Sequence, residues 1–146
     1  MVKVGEYELK EDLAYWSHGQ TWAKVEAEGL VRVGLTDLAQ KLAGKIRFIR
    51  IQRPGRSIDL GKGFATMETG KWVGPLEAPI SGTIEKINPG LRRKPQALNN
   101  DPYGEGWIAV LKPSNAEELE NLIHGDAAVD WYKEEIEKKQ KKAKKE

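Results

Sequence analysis

Apolar residues along this chain mostly alternate with polar ones in short runs, the period-two pattern of half-buried strands. Trp22-Ala23-Lys24-Val25-Glu26 is one such run. Ala27-Glu28-Gly29 then turns the chain into Leu30-Val31-Arg32-Val33-Gly34, which predicts a hairpin. Ile46-Arg47-Phe48-Ile49-Arg50-Ile51 is expected to be a strand with Ile46, Phe48 and Arg50 on one side and Arg47, Ile49 and Ile51 on the other. Further strands are expected over 64–68, from Trp72 toward Leu76, over 83–87 with Ile84 and Lys86 sharing a side, and over 107–111. Pro75 and Pro79 bracket Leu76-Glu77-Ala78 and argue for an edge or irregular strand there.

Helical spacing appears in fewer places. Leu35, Leu38, Ala39 and Leu42 recur at helical intervals, with Thr36 as N-cap and Gly44 as the C-terminal stop. Ser114-Asn115-Ala116-Glu117 matches a capping box ahead of a stripe of Leu119, Leu122 and Ile123, with Gly125 ending that helix. Asp126 is placed to cap a second helix carrying Val129, Tyr132 and Ile136. Residues 1–14 alternate weakly and predict a strand or a single helical turn. Many short strands with a few small helices imply a mainly β fold.

Composition narrows the chemistry. A length of 146 residues suits one domain, and 39% hydrophobic residues suffice for a core. Without cysteine, disulfides, thiolate metal sites and a cysteine nucleophile are excluded. No apolar run approaches the ~20 residues needed to span a bilayer, and the N-terminus lacks a signal-peptide core, so the cytoplasm is the expected location and no membrane partner is expected. The +2 net charge becomes −4 once the six lysines between Lys138 and Lys145 are set aside. That run lacks interleaved aromatics and reads as a solvated helix end, with no nucleic acid expected as partner. Gly61-x-Gly63 is not a phosphate loop, because no Gly-Lys-Ser/Thr follows and no helix is expected to begin there. Arg92-Arg93-Lys94 is a local basic cluster, read as a solvated loop with a partner-docking patch as the sharper alternative. His18 and His124 have no evident third ligand or triad partner, and no carboxylate pair suggests acid–base work, so neither catalytic residues nor a metal site is expected.

The stretch with most to offer is Gly63 to Pro79, where two strand-like runs flank Thr69-Gly70-Lys71. Gly70 is suited to the positive φ of a tight turn, which leaves Lys71 at or beside the tip. On spacing alone this is an ordinary turn lysine. Its neighbours change that. Val33-Gly34-Leu35-Thr36-Asp37-Leu38-Ala39-Gln40, Gly44-Lys45-Ile46-Arg47-Phe48, Glu68-Thr69-Gly70-Lys71, Ala78-Pro79-Ile80-Ser81-Gly82-Thr83-Ile84 and Asn99-Asn100-Asp101-Pro102-Tyr103-Gly104-Glu105-Gly106-Trp107 follow one another at compatible distances. Together, from about Tyr15 to Tyr132, they resemble the H-protein family of the glycine cleavage system, the lipoyl carriers.

The resemblance implies a barrel-sandwich hybrid like that of lipoyl and biotinyl carriers. It divides the chain into an extension over 1–14, a carrier domain over 15–125, and a C-terminal helix with basic tail over 126–146. It further implies lipoate attached covalently to Lys71 by a lipoate ligase or lipoyl transferase, with Glu68, Thr69, Gly70 and Trp72 presenting the lysine for recognition. Such a carrier is not an enzyme. In the family it takes an aminomethyl group from glycine decarboxylase to an aminomethyltransferase, and dihydrolipoamide dehydrogenase reoxidises it.

The sequence also departs from the family pattern. The family commonly has Glu-Ser-Val-Lys followed by a small residue, whereas Gly70 precedes Lys71 here and Trp72 follows it. Pro75 stands where the family has a carboxylate, and Thr21 where it has a glutamate before the first-strand tryptophan. These departures keep open an H-protein-like lipoyl carrier serving another pathway, such as heterodisulfide-reductase-like sulfur oxidation, and an unmodified interaction module with the same fold.

Overall fold

The computed structural model describes residues 1–145, with side chains through Lys141; the rest of the basic run lies outside the described side chains. The chain opens with β1 (Val2–Val4) and β2 (Tyr7–Leu9), paired as an antiparallel hairpin. It continues through β3 (Ala14–Tyr15), β4 (Thr21–Val25) and β5 (Val31–Leu35), and then α1 (Asp37–Ala43). Next come β6 (Ile46–Ile51), β7 (Ser57–Ile58), β8 (Gly63–Thr69), β9 (Val73–Glu77) and β10 (Gly82–Ile87). Two short helices, α2 (Gly90–Arg93) and α3 (Ala97–Asn100), precede β11 (Ala109–Pro113) and the long α4 (Gly125–Lys145).

A six-stranded sheet runs β3-β4-β5-β11-β10-β7, and a three-stranded sheet runs β6-β8-β9. Their inner faces share one core: Val31, Val33 and Leu35 from β5, Ile84 and Leu111 from the far strands, and Ile46, Ile49, Phe64, Met67 and Leu76 from the smaller sheet. This is the mainly β, barrel-sandwich arrangement that the strand pattern and the resemblance together imply. Pro75 sits on β9, the edge of the small sheet, where its missing N–H leaves no ladder bond unmade.

Several local expectations need correction. The alternation expected for β6 breaks at a register shift between Ile46 and Phe48, so Ile46 and Ile49 both point inward while Phe48 and Arg50 face out. A second shift between Ile84 and Lys86 likewise buries Ile84 and exposes Lys86. The expected Ser114–Glu117 capping box does not form. Asn115 accepts from the Glu117 N–H instead, and residues Ala116–Asn121 coil as a 3-10 segment. Glu118 reaches away from that segment to the Ser81 backbone N–H (2.7 Å) and hydroxyl (3.1 Å). Gly125 does not stop a helix but starts α4, and Asp126 lies in its first turn rather than capping it. Tyr132 and Ile136 are buried as expected, joined by Ala128, while Val129 is only half-buried.

A second buried cluster lies outside the sandwich and is built from Leu9, Leu13, Tyr15, Trp22, Leu38, Ala128, Tyr132 and Ile136. It carries the hydrogen bonds that seat α1. Thr36 caps the helix through its side chain, accepting from the Ala39 N–H at 3.2 Å. Two more of the helix's free N–H groups, Asp37 and Leu38, donate to the phenol oxygens of Tyr103 (3.0 Å) and Tyr132 (2.9 Å). Both phenols in turn donate to the Glu8 carbonyl, at 2.7 and 2.9 Å. The Glu8 N–H returns to the Asp37 carboxylate at 2.9 Å, closing the loop between N-terminal hairpin and helix.

Burial drives the phenols of Tyr15, Tyr103 and Tyr132 well above the ordinary tyrosine range; Coulombic repulsion among them adds to this, and hydrogen bonds offset part of it. They therefore remain donors at any pH where the fold persists. Because the folded-state values are raised, this contribution to stability is intact below pH ~10 and declines above it, as the unfolded chain's phenols ionise. Alkaline titration followed at 295 nm is expected to show these three tyrosines ionising only with cooperative unfolding, while circular dichroism tracks the same transition. Tyr132→Phe leaves the Leu38 N–H without a buried partner and is expected to cost about 1–3 kcal/mol in urea denaturation.

Candidate functional site

Strands β8 and β9 form the hairpin expected around Lys71. Glu68 pairs with Val73, and the Thr69 N–H donates to the Trp72 carbonyl at 2.8 Å, which leaves Gly70 and Lys71 as the two residues of the tip. Thr69 is buried (4% exposed), and its hydroxyl braces the turn by accepting from the Lys71 N–H at 3.3 Å and reaching the Trp72 carbonyl at 3.4 Å. Gly70 was expected to supply a positive φ, and it does not. Its lack of a side chain serves another purpose: a Cβ there would sit 3.1 Å from Nη2 of Arg47, whose guanidinium lies against the turn.

The Lys71 side chain is exposed and leans over the end of α1, where a Cβ on Gly44 would lie 3.2 Å from its Cε and 3.8 Å from its Nζ. Gly44 holds φ at 90°, a left-handed conformation suited to glycine at a helix C-terminus. Asn99 fixes that end. Its Nδ2 donates to the Gly44 carbonyl (3.0 Å) and to Gln40 Oε1 (2.8 Å), and its Oδ1 accepts from the Ile46 N–H (2.9 Å). The Lys71 ammonium itself forms no ion pair with any described residue.

Beside the lysine lies a groove of about 900 Å³. Leu35, Ala39, Leu42 and Ala43 form one wall, and Met67, Leu76 and Trp72 the other. Leu42, one of the residues recurring at helical spacing, is 40% exposed and faces this groove. Trp72 is 41% exposed, its indole folded back across the hairpin so closely that a Cβ on Gly74 would meet its Cζ2 at 2.5 Å. Thr21 and Pro75, the two positions that lack the carboxylates of the family pattern, both line the groove. Among its described lining residues Glu77 is the one carboxylate, and Lys139 from α4 is a second cation beside Lys71.

Thr21 is 2% exposed, yet its hydroxyl has no hydrogen-bond partner. A buried orphan hydroxyl is costly unless something else satisfies it. An acyl chain with a small polar or polarisable end group suits these apolar walls and this hydroxyl, so the residues present fit a lipoyl arm anchored on Lys71.

Of the positions read from sequence, Thr69, Gly70, Lys71 and Trp72 converge on the tip and groove. Glu68 does not, since it lies on the outer face of the hairpin opposite Phe48 and Val73. Sequence reasoning did not bring Gly44, Asn99, Leu42 and Lys139 to the site, because they come from distant segments and nothing local signals that they meet Lys71. Among the described residues no cluster of potential metal ligands exists, and no helix is long and apolar enough to cross a membrane. His18 stacks beside Trp16, with ring centroids 5.7 Å apart, and His124 is exposed.

Thr69→Val removes the brace under the tip. It is expected to speed hydrogen exchange at the Lys71 amide at least tenfold while lowering global stability by only about 1 kcal/mol, measured by exchange mass spectrometry and urea denaturation.

Comparison with known proteins agrees with this geometry. The family model described as glycine cleavage H-protein matches residues 13–135. A "Glycine cleavage system H protein 2" of Aquifex aeolicus is 48% identical over 140 residues, covering 93% of this chain and 87% of that one. A "Probable glycine cleavage system H protein 2" of Sulfurisphaera tokodaii is 45% identical over 131 residues, 88% of each chain. The crystal structure of a glycine cleavage system H protein from Mycobacterium marinum superimposes with a TM-score of 0.67 at 27% identity, covering 77% of this chain and 97% of that one. With the family model spanning most of its length, this chain belongs to the glycine cleavage H-protein family.

Proposed function

We propose that this protein is a lipoyl carrier of the glycine cleavage system, with lipoate in amide linkage to Lys71. The observation that carries the reading is the placement of Lys71. It stands on a two-residue turn braced by Thr69, its ammonium is unpaired among the described residues, and an apolar groove opens beside it. Bound lipoate supplies a dithiolane that can be reduced and can carry a group between enzymes. The chain itself supplies presentation. Its hairpin holds the lysine amine clear of the core, so a lipoate ligase or lipoyl transferase meets a preorganised target and loses less entropy on docking. Acylation removes the lysine's charge next to Arg47 and Lys139, which eases the arm's lodging in the groove. Leu42, Met67, Leu76 and Trp72 would exclude water from its aliphatic part, and the Thr21 hydroxyl would answer its polar end. No residue of the chain acts as an acid, base or nucleophile in this role. Glycine decarboxylase, the aminomethyltransferase and dihydrolipoamide dehydrogenase are the partners that follow from it, in the cytoplasm.

The groove supports a second reading, an H-protein-like carrier serving another lipoyl-dependent pathway. With Thr21 and Pro75 lining it and Lys139 at its edge, the groove offers a cationic cargo one carboxylate among its described residues, Glu77. Loading by glycine decarboxylase separates the two: turnover of [1-¹⁴C]glycine with the lipoylated protein supports the first, and its absence the second.

Intact-mass spectrometry of the protein from its own cells, with peptide mapping, tests the shared premise. A lipoyl-sized increment on Lys71 is expected. It should vanish in Lys71→Arg while the melting temperature stays within about 2 °C, as befits an exposed side chain without partners. An unmodified Lys71, in cells that lipoylate other proteins, would overturn both carrier readings and leave an interaction module.

A further inference from the structure

The outer face of the small sheet carries positive charge that no described residue pairs with. Arg50, Arg53 and Arg56 line a groove of about 650 Å³ that runs across β6, β8 and β9. Arg50 lies opposite Thr66, and Thr66 opposite Pro75, two register positions from Phe48, Glu68 and Val73 and therefore in the next row on the same face. Arg47 continues the line to the hairpin tip, where it lies against Gly70. All four arginines are exposed, and among the described residues none forms a salt bridge. Arg56 is steadied from below: its Nε donates to Gln52 Oε1 at 3.2 Å, and Gln52 Nε2 donates to the Gly63 carbonyl at 3.0 Å. Arg50 stacks near Phe48, with its Cζ 6.0 Å from the ring centroid.

Four unneutralised arginines within ten residues repel one another, and the chain apart from its C-terminal lysines is net negative, so these charges are concentrated rather than spread. Guanidinium groups offer paired donors that match carboxylates in bidentate fashion. Phe48 is 48% exposed and Val73 65%, two apolar side chains at the upper end of the same face. Arginine beside exposed aromatic and aliphatic side chains is the composition of a protein-docking surface. Glu68, seated between Phe48 and Val73, disfavours a polyphosphate strand along that face.

We infer that this face docks a carboxylate-rich surface segment of the partner enzyme that works at Lys71. Aspartates and glutamates of that segment pair with Arg50, Arg53 and Arg56, and an apolar residue packs on Phe48 and Val73. The identity of the partner rests on the carrier reading of Lys71; the docking chemistry does not.

The test is biolayer interferometry of the unmodified full chain against the organism's glycine decarboxylase, aminomethyltransferase, dihydrolipoamide dehydrogenase and lipoate ligase, at 50 and 300 mM salt. The variant R50E/R53E/R56E alters exposed side chains only and is expected to weaken at least one enzyme tenfold or more. A control with the same charge change, R92E/R93E/K94E, is expected to leave that affinity within twofold. The milder R53Q/R56Q should shift affinity in the same direction by a smaller factor, which keeps the test usable if the triple variant folds poorly. Equal weakening by both triple variants would reduce the effect to overall charge and overturn the proposal, as would four unchanged enzymes. A labelled single-stranded oligonucleotide bound by the wild type and lost in R50E/R53E/R56E, with the enzymes unaffected, would replace the protein partner by nucleic acid. Because binding is read without lipoate, an unmodified Lys71 in native cells counts against the carrier reading alone.

Discussion

Helix α1 is seven residues long, too short to be stable by itself, and everything distinctive about this molecule depends on how its two ends are satisfied. A helix of that length leaves most of its backbone polar groups without intrahelical partners. At the N-terminal end Thr36, Tyr103 and Tyr132 accept three of the free N–H groups. At the other end Asn99 donates to the Gly44 carbonyl and ties it to the start of β6. Each bond contributes only about a kcal/mol, but each broken one would strand a buried polar group at greater cost. The N-terminal hairpin, the Tyr103 loop and α4 are thereby held to one short helix.

That helix is also where the site is decided. Its C-terminal glycine leaves room for the Lys71 side chain, and Leu42 and Ala39 on its exposed flank form a wall of the groove. The opposing wall is the β8–β9 hairpin, held in register by its ladder and by the Thr69 hydroxyl beneath the turn. A lysine on such a turn keeps an exposed side chain while its backbone is braced by the ladder and the Thr69 hydroxyl. That is the division of flexibility a carrier arm needs: reach in the arm, a fixed point of attachment, and a shallow apolar resting place between visits.

Stability in this chain owes little to ion pairs. Four salt bridges occur among the described residues, and each has at least one partner partly or fully open to solvent, where such pairs contribute about 1 kcal/mol or less. The body relies on the shared core of two sheets and on buried phenols instead. The arginines of the small sheet's outer face stand apart from this scheme: among the described residues none forms a salt bridge, and their contacts are slight, Arg56 with Gln52 and Arg50 beside Phe48. Surface charge that does so little for the fold is most simply understood through what approaches that surface.

Much was legible in advance, for reasons that are local. Period-two alternation, prolines on an edge strand, and the Thr36 and Gly44 caps depend on residues within a few positions of one another, so the sheet-rich fold and the short helix could be read directly. The hairpin around Lys71 was equally local, and the ordered blocks from Val33 to Trp107 carried the family resemblance that singled the lysine out. What failed were inferences that assumed regularity: register shifts turned Phe48 outward and separated Ile84 from Lys86, and Glu118 left the expected cap for Ser81. The glycine before the lysine points by itself to a positive φ, whereas in the fold its missing side chain leaves room for a guanidinium from another strand. The groove belonged wholly to the tertiary structure. Thr21, Leu42, Trp72 and Lys139 meet only because β4, α1, the β8–β9 turn and α4 pack around one point. The orphaned hydroxyl of Thr21 arises there because burial is a property of the assembled fold, not of any segment within it.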